Sequence, residues 1–444
     1  MKQLVTLFAI LALSSMSIAQ NRWNFAGYFP DSTQARKGSG VHGLAVDPDG
    51  KIWAQWFGRT DSVALPGGGF AGTLGIYVFN PNGTQAAFSP IKILTGPGVN
   101  DTLFTTGAAA VTNRGLRRDI NGHILVSIFD RLYRVNYQTG VVMNKATPGA
   151  GNAITAVGVD TLGEIFVQTV LPGFPIRILA PNFSSLGNVT DTSRGFCRAG
   201  EASKNGNDVY SLNYTNHCVL RYHSDFGSFG PYTVGPNDTL LRGFDSESVS
   251  WNPARTRLWF SSGSVNDRPN RYPGATTNYT LNTWYATNPA ANFAITDSIK
   301  WAWNTYLDSI NIRPRAIAFS NDGLTAYVGC FGTGAAPTLQ KFTFGPSSVE
   351  QELGVIPVSF TLAQNYPNPF NPSTEIKFTL TKSGFATLRV YNMLGQEVAT
   401  LANEELSAGA YKATFTASDL PSGTYIYRLT SNGKSISKKM MLVK

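Results

Sequence analysis

A chain of 444 residues spans roughly two to four ordinary domains, and its 42% hydrophobic and 12% aromatic content excludes intrinsic disorder. Charged residues make up only 14%, and Gly, Pro, Ser, Thr and Asn outweigh the strong helix formers, so the composition reads as all-β and excludes a mainly helical protein. The net charge of +9 is spread thinly, with no run of Lys/Arg interleaved with stacking aromatics, which argues against nucleic-acid binding.

Residues 1–19 read as a secretory signal. Lys2 supplies the positive start, residues 4–13 an apolar stretch, and Ser17-Ile18-Ala19 a small-x-small cleavage site before Gln20. The stretch is short of the roughly 20 apolar residues needed to span a bilayer. No later segment reaches that length, so no transmembrane segment is expected in the mature chain.

From residue 40 onward one unit recurs: an apolar strand, a polar turn, and a second strand with an aromatic near its centre. The clearest copy is Gly43-Leu44-Ala45-Val46-Asp47-Pro48-Asp49-Gly50-Lys51-Ile52-Trp53. Equivalent turn positions fall at 50, 122, 163, 206, 255 and 323. Asp or Asn caps each turn with its side-chain oxygen, and Gly usually supplies the positive φ that closes it. Intervals of 41, 43 and 49 residues suit a four-stranded propeller blade, whereas 72 and 68 imply insertions or an extra blade. The expected fold is therefore an all-β chain with a β-propeller of about six blades, seven at most, over residues 20–346. The repeat resembles the six-bladed propellers of the NHL-repeat and gluconolactonase-like superfamily.

Candidate chemistry within the repeats is sparse. Glu201, Glu247 and His42 sit at or near the starts of first strands and are the candidate catalytic groups, with Asp245 and Asn213 nearby. The resemblance to metal-dependent lactonases implies oxygen ligands for a divalent cation such as Ca²⁺. These residues do not match that family position by position, so no metal site is assigned and no cofactor is expected beyond that calcium option. Residues 59–73 form a Gly-rich loop. Residues 262–293 read as a long loop whose Arg271, Tyr272, Tyr279, Trp284 and Tyr285 offer stacking faces and directional donors for a glycan or peptide. Cys197 and Cys218, 21 residues apart, are the candidate disulfide, and Cys330 reads as a small buried hydrophobe.

Residues 347–356 read as a polar linker, and 357–444 as a small sandwich of some seven strands similar to an immunoglobulin domain. Its carrying motifs are Asn365-Tyr366-Pro367-Asn368-Pro369-Phe370-Asn371-Pro372, Asn392-Met393-Leu394-Gly395-Gln396, Ser422-Gly423-Thr424-Tyr425 and the basic tail with Lys439 and Lys444. This segment resembles the type A sorting domain of the type IX secretion system. The resemblance implies export across the outer membrane, the secretion machinery as partner, and surface attachment, with lipopolysaccharide as anchor, or release. The whole reads as an exported propeller that binds a glycan or protein ligand. A metal-dependent extracellular lactonase and a self-assembling surface or filament component are the alternatives.

Overall fold

The computed structural model describes residues 21–31, 34–36, 38–65, 67–103, 113–235, 237–263, 282–302, 313–332, 337–346, 349–352, 357–382, 384–406, 408–417 and 420–444. The leader lies outside them. The chain forms two compact units, Phe25–Phe344 and a second that holds Gly345–Lys444. Helix among the described residues is confined to three-residue 3-10 turns.

The first unit consists of six antiparallel sheets taken in chain order, opened by the first strands Val41–Val46, Asn113–Arg118, Ile154–Val159, Cys197–Ala202, Val249–Trp251 and Arg313–Phe319. Each first strand lies beside the first strand of the next sheet, and the sixth lies beside the first, so the six close a ring. The strand Asn21–Tyr28 is the outer strand of the sixth sheet, next to Leu339–Pro346. Among its described residues, the 72-residue interval between the first two turns holds no extra four-stranded sheet. It holds two added hairpins, Asp61–Ala64 with Phe70–Thr73 and Ile93–Gly96 with Val99–Thr102, so the expected Gly-rich loop is largely a hairpin.

Local chemistry builds every sheet the same way. In the first, Asp47 is fully buried; its carboxylate accepts from the Lys51 amide at 2.9 Å and from Trp53 Nε1 at 2.9 Å. Asp119, Asp160 and Asn252 accept from amides two to five residues ahead in the same manner. Ser203 and Ser320 accept from the amides of Asp208 and Thr325. All six turn positions adopt positive φ, five as Gly and the sixth as Arg255 at +52°. The turns are thus written residue by residue.

Burial then stacks the sheets. Apolar clusters fill the space between consecutive sheets: Trp53, Ile76, Ile124 and Tyr133 between the first and second, and Phe29, Trp56 and Phe79 with Tyr327 between the first and sixth. Trp259 meets Phe319 between the fifth and sixth, ring centroids 5.4 Å apart. Gly158 is needed where the third and fourth first strands approach, since a Cβ there would stand 2.7 Å from the Ala202 nitrogen.

The second unit has two four-stranded antiparallel sheets. One is ordered Val349–Glu352, Gly409–Thr416, Ser373–Leu380, Thr361–Leu362, and the other Glu397–Leu406, Gly384–Tyr391, Gly423–Ser431, Lys434–Leu442. Alternating side chains from both meet in one core that includes Ile376, Phe378, Leu388, Phe415, Tyr427 and Met440. Part of the expected linker is therefore an edge strand, Val349–Glu352.

Asp47→Ala removes an acceptor from two donors and strands the buried Trp53 Nε1, so it is expected to lower stability by about 1–3 kcal/mol. Urea unfolding followed by tryptophan fluorescence checks this; an unchanged midpoint would refute the capping role.

Candidate functional site

The six first strands present their open edges to one another, and the space between them is divided into two chambers. A small cavity of about 50 Å³ is lined by residues from all six first-strand segments. A wider hollow of about 670 Å³ opens among the capped turns, lined by Pro48, Arg118, Trp251, Asn252, Arg255 and Asn321 among others.

Register explains which side chains line the small cavity. In five of the six sheets the first strand pairs with the second through a ladder that skips a residue. Val41 faces Trp56 and Gly43 faces Gln55, which leaves His42 as the extra residue. Similar irregularities leave Arg114, Thr155 and Arg315 unpaired, and the span from Cys197 to Gly200 holds one residue too many around Arg198. Bulges of this kind re-aim a side chain that a regular pleat would point elsewhere. With Glu247 from the fifth segment, the re-aimed residues form a ring: His42, Arg114, Thr155, Arg198, Glu247 and Arg315. Each stands five residues before the residue that caps its turn. That spacing was available in the sequence and went unread.

Aromatic faces hold the cations of this ring. Arg114 lies over Phe57 at 5.6 Å, Arg198 over Tyr214 at 5.0 Å and Arg315 over Phe331 at 5.3 Å. Glu247 is buried, pairs with Arg315, and lies 3.9 Å from Arg198 Nε. His42 is buried between Phe57 and Phe331, centroids 4.6 and 5.2 Å away, and its Nε2 has no hydrogen-bond partner among the described residues. Burial and the neighbouring Arg198 bring Arg114 down to about 10. Burial, with Arg198 and Arg114, holds Arg315 well below the ordinary guanidinium range.

One layer toward the turns, Arg117 closes the passage. Its Nε donates to Val157 O at 3.1 Å, Nη1 to Ser250 Oγ at 3.0 Å and Nη2 to Val249 O at 3.1 Å, while the buried Glu201 carboxylate pairs with Nη2 at 3.1 Å. Glu201 also accepts from the Val159 and Ala202 amides. Of the three candidate catalytic groups, His42 and Glu247 thus share the small chamber and Glu201 lies a layer away, and both carboxylates are engaged by arginine. Among the described residues no three His, Cys, Asp or Glu gather to hold a metal.

Several expected features fall elsewhere. Trp284 is on the strand Thr283–Asn288, fully buried and 6.3 Å from Trp301, so it is a core residue and offers no face to a ligand. Tyr285, on the same strand, packs edge-on to Phe244 at 5.7 Å. Arg271, Tyr272 and Tyr279 lie outside the described residues. The disulfide is overturned: Cys197 and Cys218 are both free, and each pairs in register with Asn213 from opposite sides. Two strand spacings of roughly 4.8 Å separate them, beyond the reach of a disulfide. Asp245, buried, is paired with His217.

In the second unit the sorting-motif residues have structural work. Asn365 is buried; its amide donates to Tyr427 Oη at 2.9 Å and its Nδ2 to Pro367 O and Thr374 Oγ1, each at 3.0 Å. Phe370 is buried in the core, and the peptide at 370 exchanges hydrogen bonds with Met441 and Val443 of the final segment. Pro369 lies between these anchors. Asn392 accepts from the Leu394 and Gln396 amides, with Gly395 at φ +77°, which is an Asx turn. Gly423 opens the strand that pairs with the last one. The Lys439 side chain is exposed while its carbonyl accepts from Gln364 Nε2, and the Lys444 amide donates to Ser422 Oγ.

Burial first, then the Arg315, Arg114 and Arg198 cations, hold His42 well below its ordinary value of 6.5. Its lowered value means that stability is full above that ordinary value and is lost as pH falls below it. His42→Phe is therefore expected to flatten the acid-side loss of stability that begins near pH 6.5, read from urea midpoints across pH. An unaltered pH profile would refute it.

Comparison with known proteins bears on the second unit. No similar protein is found among the curated ones. Among solved structures, one described as "Crystal Structure of Mitotic Checkpoint Complex" is 10% identical, with 77% of this chain and 97% of that chain covered at a TM-score of 0.41. A protein of unknown function from Bacteroides caccae is 13% identical, with 63% and 85% covered at a TM-score of 0.39. Likenesses of that size carry no argument. Residues 364–444 match the family model described as "Secretion system C-terminal sorting domain". That match identifies a type IX sorting domain and with it a protein exported to the outer surface or released.

Proposed function

We propose that the exported protein is a six-bladed β-propeller of the NHL and gluconolactonase-like kind that serves as a binding platform, followed by an immunoglobulin-like sorting domain. In this reading the leader carries the chain across the inner membrane, and the secretion machinery recognises the folded second unit and passes it outward. The observation that carries the platform reading is the hollow of about 670 Å³ among the capped turns. It falls within the size of small-ligand sites, roughly 300–1,000 Å³. It is walled by the half-buried Trp251, with Arg255 over its ring, and by Arg118, Asn252 and Asn321, which also bond Val46, Thr256, Asp47 and Pro48. A concave wall that mixes an aromatic side chain with polar groups suits a small polar ligand such as a sugar.

The passage toward the small chamber is blocked by Arg117, so the hollow behaves as a cup with a polar floor. The lactonase alternative gains no comparable support. Its best carboxylates, Glu201 and Glu247, spend their charge on Arg117 and Arg315.

Two measurements test this reading. Fractionation of the native host with mass spectrometry of the termini is expected to find the mature chain outside the outer membrane, starting near Gln20. A version lacking residues 364–444 is expected to stay in the periplasm, and its release would refute the sorting role. Glycan-array binding by the purified protein is expected to fall at least about tenfold in Trp251→Ala. An unchanged binding profile would overturn the cup as the ligand site.

A further inference from the structure

The small chamber has a charge that its own residues leave unbalanced. Arg114, Arg117, Arg198 and Arg315 line it, and the carboxylates facing them are Glu247 and Glu201. Glu201 offsets Arg117 and Glu247 offsets one of the other three, so among the described residues two positive charges remain. Arg315 is buried and Arg114 and Arg198 are half-buried, and cations drawn out of water without counter-charges are unfavourable unless something pairs with them. Arg114, Arg198 and Arg315 each stand over an aromatic face, and aromatic faces leave N–H groups free to donate. The Nε atoms of Arg114, Arg198 and Arg315 have no hydrogen-bond partner among the described residues. His42, more than nine-tenths buried, lines the same cavity with its Nε2 unpartnered.

Repetition strengthens the point. The irregular ladder recurs in five sheets, and at three of the five it delivers an arginine and at a fourth a histidine. A bulge sacrifices ladder hydrogen bonds, and a purely structural ring would be satisfied by apolar side chains such as those beside it, Leu44, Leu116 and Ile317. The volume limits what enters. About 50 Å³ has room for a few water-sized groups, enough for a tetrahedral oxyanion and too little for a sugar ring.

We propose that the chamber formed by His42, Arg114, Arg198, Glu247 and Arg315 binds a doubly charged tetrahedral oxyanion, phosphate or sulfate, as the free ion or as the terminal phosphate of a larger molecule. The oxygens accept from the free guanidinium N–H groups, and the two negative charges complete the ring. Glu247 holds Arg315 and screens Arg198, so the ion sits toward Arg114. This site is distinct from the cup among the turns, and its test needs neither export nor a glycan.

The experiment is thermal unfolding of the full secreted chain at fixed ionic strength, with potassium phosphate, sulfate, acetate or chloride titrated in, followed by calorimetric titration of phosphate and of a phosphate monoester. Phosphate or sulfate is expected to raise Tm saturably where acetate and chloride do not. Arg114→Met is expected to raise Tm in chloride, because it removes an unbalanced half-buried cation, and to weaken phosphate at least about tenfold. Arg198→Gln supplies a second variant in case the first fails to fold. Tighter binding of the monoester than of free phosphate would assign the site to a terminal phosphate, and the reverse order to the free ion. Equal responses to all four anions, or a phosphate affinity untouched in both variants, would overturn the proposal. Loss of glycan binding in Trp251→Ala with an intact phosphate response would leave it standing.

Discussion

Six strands with one unpaired edge apiece meet around a common space, and the rest of the first unit depends on how those edges are satisfied. A sheet edge exposes backbone groups that in most proteins are paired, covered or blunted by charge. Here side chains from neighbouring sheets cover them. Arg117 reaches the carbonyls of Val157 and Val249, Arg118 that of Val46, and Arg255 and Trp251 that of Ala202. Asn321 does the same for Asp47 and Pro48. Each of these bonds ties one sheet to another, so satisfying the edges also fastens the ring. Arginine suits the task because one planar fork serves several acceptors at once.

That solution has an electrostatic consequence. Burial first, and then the crowding of guanidinium groups in a narrow space, raise the energy of each cation in it, which is why Arg114, Arg315 and His42 are all displaced downward. Near the turns Glu201 neutralises Arg117, and the layer is self-contained. At the bulged ring Glu247 is the one carboxylate among the described residues; it pairs with Arg198 and Arg315, and Arg114 lines the same cavity. Two layers built from the same strands thus differ in kind: one is a staple, and the other retains charge and free donors.

The second unit solves a different problem. A segment with prolines at 367, 369 and 372 cannot donate a regular ladder, so it does not form a central strand. It is held instead by the buried side chain of Asn365, the Tyr427 hydroxyl, and the exchange between residue 370 and the final strand. The motif and the chain end are therefore one local structure. Changing Phe370 would disturb the last strand as well as the motif.

How much of this was legible in the sequence depends on the range over which each feature is decided. Asp47, Asp119 and Asp160 cap turns through bonds two to six residues long, so the turns, the strands around them and the six-fold repeat followed from neighbouring residues. The Asn392 turn and the sorting motif were equally readable, because their chemistry is local or carried by a family pattern. Trp284 misled because its exposure depends on a strand partner about twenty residues away, and Cys197 and Cys218 because Asn213 stands between them. What the sequence by itself determined was a series of capped, apolar hairpins and an export tail. Only the tertiary structure decided that His42, Arg114, Arg198, Glu247 and Arg315 share one chamber. Closing a ring brings together residues far apart along the chain, and one extra residue in each of four ladders turns His42, Arg114, Arg198 and Arg315 inward, where no local rule would have placed them.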